Sequence, residues 1–241
     1  MDRVIYLAMA GAKASMLRQD VLTHNLANAS TTGFRAEMTA FRAVPVLGDG
    51  ASTRVYAIET TPGYSSAPGP VTATDRNLDV AMKGDAWLSV QGLDGTEAYT
   101  RNGALDVDSE GSLVTRSGQG VLGDAGPITI PTNAQVLIGA DGTVSATVPG
   151  NRPQVVGRLK LVTPDAPLVR GEDGLFRGAA GDLAADPNAR VQAGALEGSN
   201  VSPVESMVAM IAAARQYEQQ MKTLSTSQDR EQSATKLLSN S

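Results

Sequence analysis

The chain has 241 residues, of which 41% are hydrophobic, and its formal net charge is −5. These values are typical of a soluble protein of one or two domains, and the scattered Lys and Arg argue against a nucleic-acid-binding surface, which needs clustered positive charge. Cysteine is absent, which excludes disulfides, thiol nucleophiles and cysteine-based metal centres. With one Trp, three Phe and five Tyr, the chain is also poorly supplied for a large aromatic ligand pocket.

The first element is predicted to be a helix from near Asp2 to near Asn28. Polar residues recur on one side of it, so it does not resemble a cleavable secretion signal, and no run of about 18 apolar residues predicts a membrane span. The helix should stop at Ser30–Gly33, because hydroxyl side chains compete for backbone hydrogen bonds and glycine accepts a left-handed turn. Its apolar positions, at mostly helical spacing, are Ile5, Met9, Ala12, Met16, Leu22 and Leu26.

Between the termini the sequence predicts antiparallel β structure. Residues 34–76 are predicted to be an extended connecting segment with a strand or two. From residue 77 to 200, turn signals recur roughly every eight to twelve residues, and no helical pattern interrupts them, so a parallel nucleotide-binding fold is not expected. Residues 154–162 are predicted to form one long strand. Other expected strands are 86–90, 112–115, 127–130 and 135–138.

The last element is predicted to be a helix over residues 202–238. Ser202 can act as the cap of this helix, because its side chain can accept a hydrogen bond from a backbone N–H of the first turn. Pro203 is tolerated at the first helical position, since an N–H there would have no partner within the helix. Glu205 can accept a hydrogen bond from the backbone N–H of Ser202. The helix would be about 50 Å long, which exceeds what a compact domain of this size buries. Along this helix, a set of residues is spaced alternately by three and four, which is the spacing of a coiled-coil seam. The predicted seam is Met207, Met210, Ala214, Tyr217, Met221, Leu224, Gln228, Glu231, Thr235 and Leu238.

These elements predict an α+β fold in which long N- and C-terminal helices form a coiled-coil-like pair, with a central antiparallel β domain. The expected organisation is an N-terminal helix and turn at 1–33, a connecting segment at 34–76, a β-rich body at 77–200 and a C-terminal helix at 201–241. Methionines at such spacing ordinarily fill the core of their own domain. A seam on a helix that is longer than the β body can cover instead favours an interface with another molecule. The expected assembly interface is Ile5, Met9, Ala12, Met16, Leu26, Met207, Met210, Ala214, Tyr217, Met221 and Leu224.

Three patterns imitate catalytic or ligand sites. His24 is the only histidine, so a two-imidazole metal site is excluded and a surface or packing role is expected. Residues 118–123 match the dinucleotide fingerprint but are followed by Asp124–Pro127 rather than a helix, which favours a hairpin. Asp106–Gly111 imitates a calcium loop whose twelfth position is Ser117 instead of glutamate. We therefore expect no catalytic residue, cofactor or metal, and assembly rather than enzymatic activity.

Residues Asn25–Arg35, with the sequence NLANASTTGFR, resemble the signature of bacterial flagellar basal-body rod and hook proteins. The opening Met1–Tyr6 and the modest length look most like the proximal rod branch of that family. The distal rod branch is the close alternative, and hook proteins usually carry a larger outer insertion. Further similarity to the family's β domain and C-terminal region lies in residues 77–90, 99–103, 111–115, 128–131 and 196–205.

The resemblance implies a structural subunit of the flagellar rod in the periplasmic space, which transmits torque from motor to hook. It implies export by the flagellar type III apparatus without signal cleavage, and contacts with copies of itself and with other rod proteins. The terminal helices would form an inner tube and the β body an outer layer. A wall-cutting hydrolase and a free-standing adhesin or secreted β protein are the alternatives from other classes. The turn that joins tube to body would be Asn25, Asn28, Thr32, Gly33 and Phe34.

Overall fold

A computed structural model describes residues 2–45 and 55–239. Within those residues the chain forms two helices, α1 (Asp2–Ala27) and α2 (Pro203–Ser239), and short strands between them. Both ends of each helix lie within one residue of the predicted positions. The strands are β1 (Glu37–Pro45), β2 (Val55–Tyr64), β3 (Val71–Ala73), β4 (Val80–Met82), β5 (Trp87–Gln91), β6 (Glu97–Thr100), β7 (Leu105–Val107), β8 (Leu113–Thr115), β9 (Leu122–Gly123), β10 (Gly126–Pro127), β11 (Gln135–Ile138), β12 (Thr143–Thr147), β13 (Gln154–Arg158), β14 (Leu161–Val162), β15 (Val169–Arg170), β16 (Phe176–Arg177), β17 (Val191–Ala193) and β18 (Ala195–Glu197).

The chain divides into two compact units. The helix unit comprises Met1–Ala29, Ala36–Ser65 and Val201–Ser241, and the β unit comprises Ser30–Arg35 and Ser66–Asn200. The backbone therefore crosses from one unit to the other four times, after residues 29, 35, 65 and 200. Neither helix, within the residues that are described, combines the length and hydrophobicity that crossing a bilayer requires.

In the helix unit, α1 packs along α2 and also contacts the antiparallel pair β1–β2. The start of α2 is capped as the sequence predicts, since the Glu205 N–H lies 3.4 Å from the Ser202 hydroxyl oxygen and the Ser206 N–H donates to the Ser202 carbonyl at 3.0 Å. Apart from Asn25, the buried side chains among the described residues of the helix pair are small: Ala8, Ala12, Ser15, Ser206 and Ala213.

The two helices do pack as a pair, but the predicted coiled-coil seam between them is wrong. Its long side chains do not form the buried seam, because Met9 and Met16 are 54% and 56% exposed and Met207 is also exposed. Small side chains instead allow two helices to approach closely, which leaves the longer ones at the margins of the contact. The side chains of Glu231, Thr235 and Leu238, at the end of the predicted seam, lie outside the part of the chain that the structure describes.

The central antiparallel β body is divided into several separate sheets, and β1–β2, which lies in the predicted connecting segment, belongs to the helix unit. In the β unit, one sheet has the strand order β14-β5-β6-β16-β15 and another has the order β11-β12-β13. Four two-stranded sheets complete it: β17-β4, β18-β3, β7-β8 and β10-β9. A shared hydrophobic core lies within the unit, and its most buried members include Leu88, Val90, Leu105, Leu113 and Val144.

The single long strand predicted over residues 154–162 is two strands in different sheets. The chain leaves β13 at Arg158 and enters β14 at Leu161. Between them, the Leu159 N–H donates to the Gly142 carbonyl at 2.8 Å, and the Lys160 N–H donates to the Leu122 carbonyl at 2.9 Å. Each of these two backbone groups finds a partner on a different neighbour, so the segment is divided between two sheets.

Candidate functional site

An apolar groove lies between α1 and α2 in the helix unit. We call it the helix groove, and its volume is about 250 Å³. The two helices approach closely beside it, since a Cβ added to Gly11 would lie 2.9 Å from the Gln220 side chain. The groove is lined by Ala8, Met9, Ala12, Lys13, Met16, Tyr217, Gln220, Met221 and Leu224.

The structure brings together six of the eleven residues that the sequence assigns to an assembly interface. These six line the helix groove: Met9, Ala12, Met16, Tyr217, Met221 and Leu224. The other five, which do not line it, are Ile5, Leu26, Met207, Met210 and Ala214. The assignment of these residues to an interface stays a prediction.

Sequence reasoning missed a second exposed apolar stripe on α2. Val204, Val208 and Ile211 are 71%, 64% and 56% exposed, although each is aliphatic. Their spacing of four and three was available as a signal, but it lies beside the methionine seam rather than on it. The first two turns of α2 therefore present apolar side chains on more than one face.

The first part of the signature segment joins α1 to the start of β1 within the helix unit. The Asn25 side chain is 7% exposed; its amide donates to the Glu37 carbonyl at 2.9 Å, and its oxygen accepts from the Glu37 N–H at 2.8 Å. Asn28 is more exposed, and its amide donates to the His24 carbonyl at 2.9 Å. The His24 ring nitrogen Nε2 lies 3.9 Å from a Glu37 carboxylate oxygen. Asn25 thus supplies to the strand both the donor and the acceptor that a neighbouring backbone would supply.

The second part of the signature segment is a tight turn in the β unit. The Phe34 N–H donates to the Thr31 carbonyl at 3.2 Å, and the Gly33 N–H donates to the Glu197 carbonyl at 2.7 Å. Gly33 has a φ of 69°, and a Cβ at this position would lie 2.3 Å from the Arg101 carbonyl carbon. Both the backbone conformation and the close approach therefore require glycine.

Beside this turn, Glu197 forms ion pairs with Arg35 and Arg101, and we call these three residues the Glu197 cluster. Their side chains are 1%, 4% and 2% exposed, respectively. Glu197 Oε1 lies 2.8 Å from Arg35 Nη2 and accepts from the Gly69 N–H at 3.0 Å. Oε2 accepts from Arg101 Nε at 2.8 Å and lies 2.5 Å from Arg101 Nη2. One buried carboxylate therefore holds two guanidinium groups and a backbone amide.

Two guanidinium groups against one carboxylate leave an excess of buried positive charge, which needs further polar partners. Arg101 donates to the carbonyls of Gly84 at 2.8 Å, of Met82 at 3.2 Å and of Ala86, and Arg35 donates to the carbonyl of Ala67. Both guanidinium carbons also lie 6.0 Å from the centre of the Trp87 ring, whose face attracts cations. The cluster is therefore a buried structural centre with many polar contacts.

Sequence reasoning did not predict the Glu197 cluster. Arg35 and Glu197 both lie in segments that resemble the flagellar family, but no local pattern links residues so far apart in the chain.

An aromatic contact adjoins the cluster: the Arg170 guanidinium lies 4.8 Å from the ring of Phe34 and 5.8 Å from the ring of Phe176. Phe34 thus contacts the β unit, whereas Asn25 contacts the helix unit.

Another buried polar group of the β unit is the Tyr99 hydroxyl. Burial raises the pKa of Tyr99 to about 12, although the Leu183 N–H, which donates to the hydroxyl at 2.6 Å, acts in the opposite direction. The imitations of ligand sites lie in ordinary turns; for example, residues 118–123 lead into the β9–β10 hairpin. No group of three or more metal-ligating side chains occurs among residues 2–45 and 55–239 as far as their side chains are described.

Comparisons with known proteins match nearly the whole chain. Residues 5–35 match the family model "Flagella basal body rod protein", residues 81–146 match "Flagellar hook protein FlgE/F/G D1 domain" and residues 192–237 match "Flagellar basal body rod FlgEFG protein C-terminal". The chain is 48% identical to the flagellar basal-body rod protein FlgF of Salmonella typhimurium and 49% identical to that of Escherichia coli, with 99% of each chain covered. It is 30% identical to FlgG of Bacillus subtilis, over 95% of this chain and 96% of that protein.

Proposed function

The chain belongs to the flagellar basal-body rod protein family and is a structural subunit of the bacterial basal-body rod, and we propose that it assembles there by burying the helix groove against neighbouring subunits. The observation that carries this proposal is the groove itself, which holds six of the residues that the sequence assigns to an interface. The distal rod and hook alternatives are not favoured, because identity is much higher to the FlgF relatives than to FlgG.

The energetic argument rests on apolar side chains that the helix unit leaves half in water. Met9 and Met16 are each more than half exposed, and Met221 is 40% exposed. Completing the burial of such a side chain contributes about 1 kcal/mol, roughly half of its full transfer free energy. Several such contributions in each subunit, repeated along a polymer, favour assembly without any one strong contact.

In the rod, the subunit contacts other rod proteins and passes torque from the motor towards the hook through many such buried contacts. The chain reaches this position by export through the flagellar type III apparatus and folds in the periplasmic space. Its role is structural and not enzymatic, in keeping with a family of rod proteins. No observation favours a wall-cutting hydrolase or a free-standing adhesin.

The test places one negative charge in the groove and, as a control, another on a different side of α2. The chain is expressed in an Escherichia coli strain that lacks its own FlgF. Met221→Asp should abolish rod completion, because a carboxylate without a partner would have to be buried at the interface. Gln219→Asp is the control, since Gln219 is exposed and lies two residues away on a different side of α2.

Isolated basal bodies are examined by electron microscopy, and folding of the β unit is followed by Trp87 fluorescence. We expect rods with Gln219→Asp and none with Met221→Asp, while both variants unfold at the wild-type urea concentration. Complete rods with Met221→Asp would contradict burial of the helix groove.

A further inference from the structure

Three segments of the β unit lie next to the points where the backbone passes from one unit to the other, and hydrogen bonds join these segments at one place. These segments are residues 30–35, 66–70 and 197–200, each of which borders a crossing between the units. Gly33 donates to the carbonyl of Glu197, and Gly69 donates to its side chain. The Asn200 amide donates to the Ala67 carbonyl at 2.8 Å, so the second and third segments are also tied directly to each other.

We propose that Glu197 is a clamp that fastens all the crossings to the β unit at one point and bears the force that passes between the two units. The inference rests on the proposed function, because only a torque-carrying subunit has such a force to transmit. Four covalent crossings join the units. Any load that these crossings carry enters the β unit through segments held by this one carboxylate.

The geometry explains why one carboxylate can fasten several segments. Glu197 is the only anion of its cluster, and its two oxygens face different partners: Oε1 faces Arg35 and Gly69, whereas Oε2 faces Arg101. Removing the charge would leave two buried guanidinium groups without the carboxylate that neutralises them, which is far more costly than losing a surface pair. The clamp therefore depends on the charge and not only on the shape of Glu197.

The structure also indicates which side of the clamp opens. Arg101 donates to the carbonyls of Met82, Gly84 and Ala86, so it is anchored in the β unit independently of Glu197. Arg35 belongs to the turn itself. When the carboxylate charge is lost, the repulsion is relieved by departure of the turn, while the hydrophobic core keeps its packing.

Hydrogen exchange on the isolated full chain tests this inference with Glu197→Gln. Glutamine keeps the shape but presents an amide to two guanidinium donors. We expect the hydrogen-bonded amides of Gly33, Phe34 and Gly69 to exchange at least about tenfold faster, since hydrogen bonds to charged groups change an opening equilibrium by that factor. Amides of the core strands β8 and β12 should change by less than about twofold, because a local opening leaves global unfolding unaffected.

Glu97→Gln is the matched control, because Glu97 is a largely buried carboxylate of the same unit whose Oε2 lies 2.7 Å from Lys160 Nζ and which lies apart from the crossings. It should leave the exchange of residues 30–35 unchanged. Equal acceleration across the whole β unit in Glu197→Gln, or none, would overturn the clamp. If Glu197→Gln does not fold, hydrogen exchange of the wild-type chain in mild urea provides the test. The amides of Gly33 and Gly69 should then share one free energy of opening, and this should be lower than that of the core amides.

The force itself is tested in the Escherichia coli strain complemented with each variant. Cells with Glu197→Gln should swim at low viscosity and stop at a lower viscosity than wild-type cells, because the clamp opens under load. A loss of folded subunits would instead lower swimming equally at every viscosity, and this outcome, like wild-type behaviour throughout, would overturn the inference. Failure of the wild-type chain to restore any swimming would count against the proposed function and leave the exchange result standing.

Discussion

Replacing Gly33 by alanine should detach the signature turn from the β unit. An alanine at a φ near 69° costs about 1–2 kcal/mol. In addition, its Cβ would lie 2.3 Å from the Arg101 carbonyl carbon, whereas carbon atoms in contact prefer about 3.5–4.0 Å. Arg101 cannot withdraw because its side chain is held by Glu197, so the turn must move by more than about 1 Å. That movement breaks the 2.7 Å hydrogen bond from Gly33 to Glu197 and adds about 1 kcal/mol or more.

Gly84→Ala is the control that separates these two costs. Gly84 has a φ of 61°, close to that of Gly33, but a Cβ there would meet nothing within 4 Å. We therefore expect about 1 kcal/mol of destabilisation for Gly84→Ala and about 3 kcal/mol for Gly33→Ala. Urea unfolding followed by Trp87, the only tryptophan of the chain, measures both. The midpoint should fall by about 1.5 M for Gly33→Ala, at a slope of about 2 kcal/mol per molar urea. Equal midpoints for the two variants would refute the steric argument.

Two further predictions concern the buried polar groups of each unit. Asn25→Ala should destabilise the helix unit by about 1–3 kcal/mol, because it removes both hydrogen bonds to the Glu37 backbone. The control Asn28→Ala should cost about 0.5 kcal/mol or less. Thermal unfolding followed by far-UV circular dichroism measures the difference, and equal melting temperatures of the two variants would refute the prediction. The raised pKa of Tyr99 means that the unfolded chain loses this phenolic proton at a lower pH than the folded chain, so the stability it contributes is complete below about pH 10 and is lost as the pH rises to about 12. The wild-type urea midpoint should fall more steeply over that interval than the midpoint of Tyr99→Phe, and parallel curves would contradict the assignment.

The sequence predicted the elements whose signals are local. The start of α2 follows from the serine and proline at Ser202 and Pro203, and the end of α1 follows from the residues before Gly33. Strand β11 lies where its alternating pattern places it. The comparisons confirm the family that residues 25–35 indicated. Caps, turns and alternation depend on neighbours in the chain, so one sequence is sufficient to detect them.

The pairing of the helices was not predictable in the same way. A seam was expected where methionines recur, but the buried positions are alanines and serines, among them Ala8 and Ala213. Hydrophobic spacing identifies a helix face that favours burial, but not whether the partner is a helix of the same chain or of another subunit. In this chain the small residues serve the internal contact, and the larger ones are left at a groove.

The signature segment has two halves that serve different units, and this explains why residues of such different kinds occur together in it. Asn25 satisfies the backbone of β1 in the helix unit, whereas Gly33 and Arg35 meet Glu197 in the β unit. A segment that crosses between two units has no repeating environment, so no periodic pattern can describe it. Each position is instead limited by one specific contact: an amide that pairs with backbone, a glycine without space for a Cβ and an arginine that meets a buried carboxylate. A junction of this kind is therefore recognised from a family motif, whereas its physical cause becomes visible only when the distant Glu197 is seen beside it.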